Sequence, residues 1–393
     1  MNSNSPAGLY VHVPFCTVKC PYCDFISTTD LDLLPEFLDA LEQEIDLRAT
    51  DEISFNTIYF GGGTPSLLRG EHLARLLDAL GKHFRVLSDP EITLEANPGS
   101  LSSARLSAYR KAGVNRLNIG VQSFQDDSLR LLGRRHTAAQ GRIAIQEARS
   151  AGFDNVGLDL IYGLPGQLPD QWRRDLDAAV AAAPEHLSCY LLTFESGTRF
   201  DIRRRKGELR PLDDAAQAAL FQLTRDHLDS AGYAGYEISN WARRTASGGP
   251  DLRSRHNRKY WNHIPYLGLG PAAHSYRHPI RSWNEKGLRR YMRRLAVGEL
   301  PVADSETLTP VQERMEAIML ALRQAGGLDR EAWAQRFGER FEACFAVPLK
   351  GLLDAGQLEF SPPRYRLTDA GRVVADGVVD QLVAALPADS GQP

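Results

Sequence analysis

The chain has 393 residues, 43% hydrophobic and 24% charged, with a formal net charge of −3 at pH 7. Such a length allows two or three domains with sizeable cores, and the composition is that of an ordinary globular protein, neither disordered nor collagen-like. The near-balanced charge gives no global reason to bind nucleic acid or an anionic membrane, and no apolar run approaches the roughly 18–20 residues that span a bilayer. The first residues lack the basic, apolar and small-residue segments of a signal peptide. A cytoplasmic protein is therefore expected, with peripheral membrane association left open.

From the N-terminus, residues 9–13 read as a strand, and Leu34, Leu38, Leu41 and Ile45 then fall on one face of a helix. Residues 57–60 form a second strand that runs into Gly61-Gly62-Gly63-Thr64-Pro65. Leu73, Leu76, Leu77, Leu80 and Phe84 mark another helix. Further strands are expected at 91–95, 116–121, 156–161 and 187–192, with helices between them. Six successive β/α units imply a parallel sheet, because each return to a parallel strand needs a crossover. The expected fold class is α/β, a partial (β/α)6 barrel over residues 1–240 with binding residues at the C-terminal strand ends.

Residues 241–305 read as a connecting segment that begins with a solvated Gly/Arg-rich loop, about 242–255. A C-terminal, mainly helical domain is expected over 306–393. There Val311, Met315, Ile318 and Leu322 share a helical face, and two more helices and a β-hairpin near 358–368 complete a winged-helix-like pattern. No basic stripe marks its recognition helix, so a packing or lid role is expected and nucleic acid is not a predicted partner.

Five cysteines are present, and Cys16, Cys20 and Cys23 crowd into eight residues directly after the first strand. An odd number with that crowding is a poor disulfide framework and points to a metal centre. Structural zinc normally takes four ligands in paired knuckles, and no second knuckle exists here. Three thiolates on a four-iron cubane would leave one iron open to a small molecule. Cys189 and Cys344 stand alone in apolar settings and read as buried structural thiols.

Four polar residues sit at or near expected strand ends. Glu95 ends the third strand, where a carboxylate suits a ribose or an amino group, and Gln122 ends the fourth. Arg134 carries a guanidinium able to fork onto a carboxylate. Asp159 interrupts an apolar strand and is either a ligand contact or a core hydrogen-bond anchor. The glycine run is either an ordinary tight turn or a place where backbone approaches a ligand closely.

The segment His12-Val13-Pro14-Phe15-Cys16-Thr17-Val18-Lys19-Cys20-Pro21-Tyr22-Cys23, together with the glycine run, resembles the radical S-adenosylmethionine (SAM) superfamily. From Tyr10 through Glu195 the chain is similar to its branch of anaerobic coproporphyrinogen-III oxidase-like proteins, and the likeness extends through the C-terminal region. The resemblance implies a [4Fe–4S] cluster on Cys16, Cys20 and Cys23. It implies SAM contacts at Tyr10, Gly62, Gly63, Thr64, Glu95, Gln122, Arg134 and Asp159, and an electron donor for the cluster.

Within this branch the oxygen-independent coproporphyrinogen III dehydrogenases carry a fourth cysteine two residues after the third, and a longer N-terminal extension. Here Phe25 occupies that position and nine residues precede Tyr10. These features resemble the HemW-type haem chaperones, as do His256-Asn257-Arg258-Lys259-Tyr260-Trp261 and Gly268-Leu269-Gly270-Pro271-Ala272-Ala273-His274-Ser275. That likeness implies haem as a third cofactor and haem-acceptor proteins, at the membrane or in solution, as partners. It implies delivery of haem in place of dehydrogenase activity. His256 is either an axial haem ligand or a structural hydrogen-bonder. Arg253, Arg255, Arg258 and Lys259 either neutralise the two propionates or keep the loop soluble.

Overall fold

The computed structural model of the protein describes residues 5–386. Six strands pair in parallel and in chain order: β1 (Ala7–Val13), β2 (Thr50–Gly62), β3 (Phe84–Ala96), β4 (Arg116–Gln122), β5 (Val156–Tyr162) and β6 (His186–Leu191). Helices Leu34–Leu47, Gly70–His83, Ser103–Ala112, Ala138–Ser150 and Pro169–Ala181 make the returns. The first buries Phe37, Leu38, Leu41 and Ile45 at helical spacing; each such side chain removed from water stabilises the fold by roughly 1.5–3 kcal/mol. The second ends at His83, so Phe84, expected on its apolar face, instead opens β3.

The sheet does not stop at six strands. On the β6 side it gains β7 (Tyr233–Gly235) and β8 (Asn240–Arg243), with β8 antiparallel to β6. On the other side β9 (Tyr266–Leu269) pairs in parallel with β1. Three antiparallel strands follow outward: β10 (His274–Arg277), β11 (Ile280–Asn284) and β12 (Val302–Thr307). Residues 233–243 thus extend one flank of the barrel sheet and residues 266–307 the other. One buried carboxylate anchors the second flank: Glu44 accepts from Asn284 Nδ2, Tyr291 Oη and the Gly270 amide, each at 2.7 Å, and pairs with Arg48 at 2.8 Å. A fully buried charge is tolerable only with such a complete set of partners.

The C-terminal unit has its own core, including Ile318, Trp333, Phe341, Phe345, Leu352 and Val378. Helices Pro310–Arg323, Arg330–Phe337 and Phe341–Asp354 pack with a sheet in which β15 (Arg364–Leu367) lies between β13 (Leu328–Asp329) and β14 (Leu358–Ser361). The winged-helix-like pattern is therefore present. Beyond it stand two short helices absent from the sequence reading, Asp369–Val373 and Ala375–Val383. Among the described residues no helix is long and apolar enough to cross a membrane.

Candidate functional site

The cysteine loop leaves β1 and is clasped at its neck: Thr28 N donates to Pro14 O at 2.6 Å and Cys16 N to Thr28 O at 2.9 Å. His12, still on β1, bonds Ile26 O through Nε2 at 2.9 Å. The loop lies directly against the glycine turn after β2. Gly63 N donates to Val13 O at 2.9 Å and Thr64 N to Phe15 O at 2.7 Å. A Cβ at Gly63 would sit 2.7 Å from Phe15 O, and one at Gly62, where φ is +111°, would sit 2.6 Å from the His12 ring. Both glycines are thus required first by the cysteine loop itself, a use that a glycine run does not reveal in sequence.

Side chains from other strands reach the sulfurs. The Thr64 hydroxyl donates to Cys16 Sγ at 3.6 Å and accepts from Asn97 Nδ2 at 3.0 Å. Arg134 Nη1 donates to Cys20 Sγ at 3.7 Å, while Nη2 binds Gly120 O at 2.8 Å and also Asn97 Oδ1. Gly133 makes this possible: at φ +67° a Cβ there would meet Pro21 at 2.6 Å, so only glycine lets the two loops nest. Among the described residues no carboxylate meets the Arg134 guanidinium, which is instead spread over a sulfur, a carbonyl and an amide oxygen. Burial raises the Cys23 thiol, and the neighbouring Cys20 and Cys16 raise it further. Among the described residues no three His, Cys, Asp or Glu side chains converge on a single ion; a cubane takes its thiolates on separate irons.

A cavity of about 1130 Å³ opens beneath this loop, lined by all three cysteines and by Gly62, Gly63 and Thr64. Glu95, Gln122, Arg134 and Asp159 line it too, from the later strands and their loops. Ten of the sequence-predicted positions therefore meet around one space. Glu95 accepts from Tyr59 Oη at 2.8 Å and from Gly62 N at 3.2 Å, and burial raises its carboxyl to about 7. Asp159 accepts from Asn118 Nδ2 at 2.6 Å through one oxygen and has no partner at the other; burial raises this carboxyl as well. Gln122 closes β4 in the left-handed region, φ +66°, at a break in the β4–β5 register, and its Oε1 has no partner. A non-glycine residue held there stores strain of the kind found at functional sites.

Two expected residues lie elsewhere. Tyr10 bonds His12 Nδ1 at 3.2 Å and stacks on Tyr59, with ring centroids 6.2 Å apart, and is not a wall of the cavity. His256 is 1% exposed. Its Nδ1 is 2.8 Å from Thr57 Oγ1 and its Nε2 2.8 Å from Tyr260 Oη, while its backbone amide donates to Glu91 at 3.0 Å. Burial lowers the imidazole to about 3, with Lys259 and Arg116 adding to the effect. Both ring nitrogens are engaged, so ligation of haem iron would require breaking one of these bonds. The four cations beside it are also taken: Arg253 and Arg258 by Asp251, Arg255 by Asp89, and Lys259 by Pro6 O at 2.6 Å. Of the lone thiols, Cys189 is fully buried and Cys344 only partly so.

Sequence reasoning missed several walls. Asn97 bridges Thr64 and Arg134, and Asn118 holds Asp159. Arg116 and Ser188 point inward from β4 and β6. The roof comes from the C-terminal unit: Arg323 and residues 372–377, where the two unforeseen helices meet. Phe25, Val373 and Val374 are exposed apolar residues that also line the cavity.

The chain as a whole is similar to known proteins. The radical SAM superfamily model matches residues 10–179 and the HemN C-terminal domain model residues 308–374. The heme chaperone HemW of Mycobacterium tuberculosis (strain ATCC 25618 / H37Rv) is 41% identical over 384 residues, covering 96% of this chain and 95% of that one. HemW of Bacillus subtilis (strain 168) is 33% identical, covering 96% and 99%. The solved coproporphyrinogen III oxidase HemN of Escherichia coli superposes with a TM-score of 0.83 at 25% identity, over 97% of this chain and 91% of that one. The chain belongs to the radical SAM superfamily and, within it, to the HemW heme chaperone family.

Proposed function

We propose that the protein binds a [4Fe–4S] cluster through Cys16, Cys20 and Cys23, holds SAM beside it, and carries haem to haem-requiring acceptor proteins. The observation that carries this reading is the cavity itself. It joins three thiols to a polar interior and an apolar mouth, and its volume of about 1130 Å³ exceeds the roughly 300–1,000 Å³ of sites that hold one small ligand.

The residues present fit these groups. Three thiols on one clasped loop suit a cluster with an open iron, and the unpartnered Gln122 Oε1 and Asp159 Oδ1 suit a polar cofactor. Buried polar atoms without partners are uncommon in proteins and call for an explanation. When bound, the cluster supplies an electron and the open iron a seat for SAM. The chain's own part is positional. Glu95 offers its carboxylate to an amino or hydroxyl group, Arg134 and Thr64 hold the sulfurs in orientation, and the C-terminal roof excludes water.

Haem, on this reading, enters at the mouth past Phe25, Val373 and Val374, whose apolar surface suits a macrocycle. His256 serves the fold. The same geometry serves a soluble or a membrane-bound acceptor, since the mouth opens on the outer surface. Titration of haem into the anaerobically reconstituted protein is expected to shift the Soret band, with no conversion of coproporphyrinogen under SAM and reductant. Conversion of coproporphyrinogen, or absence of haem binding, overturns the proposal.

A further inference from the structure

Arg116 opens β4 and is 1% exposed, among the largest fully buried side chains in the protein. Its Nε and Nη2 have no partner, and among the described residues no hydrogen bond or ion pair holds it. It is nevertheless part of the cavity wall, with Asn118, Asp159 and Ser188. Gly157, across on β5, lets Asn118 and Arg116 pack close over the strand: a Cβ there would lie 2.5 Å from Asn118 Oδ1 and 3.4 Å from Arg116 Nη2. The charge of Arg116 is felt by Glu95, Asp159, His186 and His256, yet none of them bonds it.

A buried cation without a counter-charge in contact is costly, and proteins keep such groups where a ligand completes them. Two free N–H groups on one edge of a guanidinium match the two oxygens of a carboxylate. We infer that Arg116 is the carboxylate anchor at the floor of the cavity and receives a propionate of the bound tetrapyrrole, an inference that rests on haem occupying this cavity. The macrocycle then lies toward the apolar mouth and one acidic arm reaches inward. Arginine suits this role better than lysine, whose ammonium offers a point charge without the fork.

The test compares haem with its dimethyl ester, which keeps the macrocycle and loses both negative charges. Each is titrated into the full-length reconstituted protein, as wild type, R116Q and R116K, with cluster content and thermal unfolding recorded for each. Wild type is expected to favour the diacid by about 10- to 100-fold, the span of one charge-assisted contact. R116Q is expected to bind the two forms equally, and R116K to lie between. The same diacid-to-diester ratio in wild type and both variants overturns the inference while leaving haem binding intact. Failure of wild type to bind either form instead removes the haem reading, and this inference with it. Equilibrium dialysis with SAM separates the remaining source of a carboxylate: a loss of SAM affinity in R116Q as large as the loss for haem assigns the anchor to SAM and also overturns the inference.

Discussion

Around His256, imidazole, hydroxyl, amide and carboxylate groups meet in pairs at 2.8–3.0 Å, whereas in the neighbouring cavity Gln122, Asp159 and Arg116 each carry polar atoms without a partner. Both regions lie inside the sheet, and both are rich in residues that sequence motifs single out. They differ in what is left unmet. A region whose hydrogen-bonding capacity is satisfied internally stabilises the fold, whereas unmet capacity on the wall of a cavity leaves polar atoms for water or a ligand to complete. The Tyr59 ring links the two, stacking on His256 at 5.1 Å and donating to Glu95 at 2.8 Å.

The largest effect that separates the regions is expected at the sulfurs. Replacing Cys16, Cys20 or Cys23 by alanine removes one of the three proposed cluster ligands. Iron and sulfide content after anaerobic reconstitution should fall at least about ten-fold, no less than loss of a supporting hydrogen bond costs a metal site. H256Q should keep the wild-type content. A cluster-free H256Q protein that is otherwise folded would break the division between a fold-keeping region and a ligand-keeping one.

Stability is expected to respond in the opposite order. H256A leaves Thr57 and Tyr260 hydroxyls without their partner and opens a hole among buried aromatics, at a cost of about 2–4 kcal/mol in denaturant unfolding. The pH dependence sharpens this. The folded-state value, about 3, lies below the ordinary 6.5, so the unfolded chain takes up a proton that the native protein refuses. The contribution of His256 is therefore fully present above pH 6.5 and is lost as pH falls, at up to about 1.4 kcal/mol per unit. His136, His186 and His263 are lowered in the same direction, so the quantity to follow is the difference between wild type and H256Q from pH 7 to pH 5. A difference that stays flat would show that His256 is not held neutral. A haem affinity that collapses in H256Q, at unchanged stability, would move it to the ligand-keeping side.

A smaller effect is expected at Glu95. Burial raises its carboxyl to about 7, so near neutrality a large fraction is protonated, and ionised carboxylate becomes dominant only as pH rises. An amino group of SAM prefers the ionised form. Affinity for SAM should therefore weaken below pH 7, by up to about ten-fold per unit. In E95Q the affinity should be lower at pH 8 and the wild-type slope should vanish. Equal slopes in the two proteins would take Glu95 out of the SAM site.

These expectations also mark how far the sequence could be read. The cysteine loop was legible because its three ligands are neighbours in the chain, and the strand-end residues because β/α alternation places them. Arg116, Asn118 and Ser188 were not, for a physical reason. β4 is buried at every position from Arg116 to Gln122, so no alternation of polar and apolar residues says which side chains face inward. The roof at 372–377 depends on how the C-terminal unit docks, which no local pattern encodes. His256 was legible as a motif residue with ligand and hydrogen-bonder both open, but its partner Thr57 was not, since it lies 199 positions away. Phe84 fitted a helical period and a strand start equally well, and the pairing of Thr50 with Phe84 decides for the strand.

The smallest effect is expected at Gln122, where backbone strain and side-chain chemistry can be separated. Its left-handed backbone costs a residue with a Cβ about 1–2 kcal/mol. Glycine relieves that cost but gives back about 0.5–1 kcal/mol in chain entropy. Q122G should therefore be more stable by roughly 0.5–1 kcal/mol, a rise of a few degrees at most in Tm for a protein of this size. It should also bind SAM more weakly, since the unpartnered Oε1 is gone. Stability gained with affinity lost is the mark of a residue held under strain for a ligand. A Q122G protein that unfolds more easily and binds SAM as before would show that this side chain is held in place by packing. Gln122 would then stand with His256 among the residues that serve the fold.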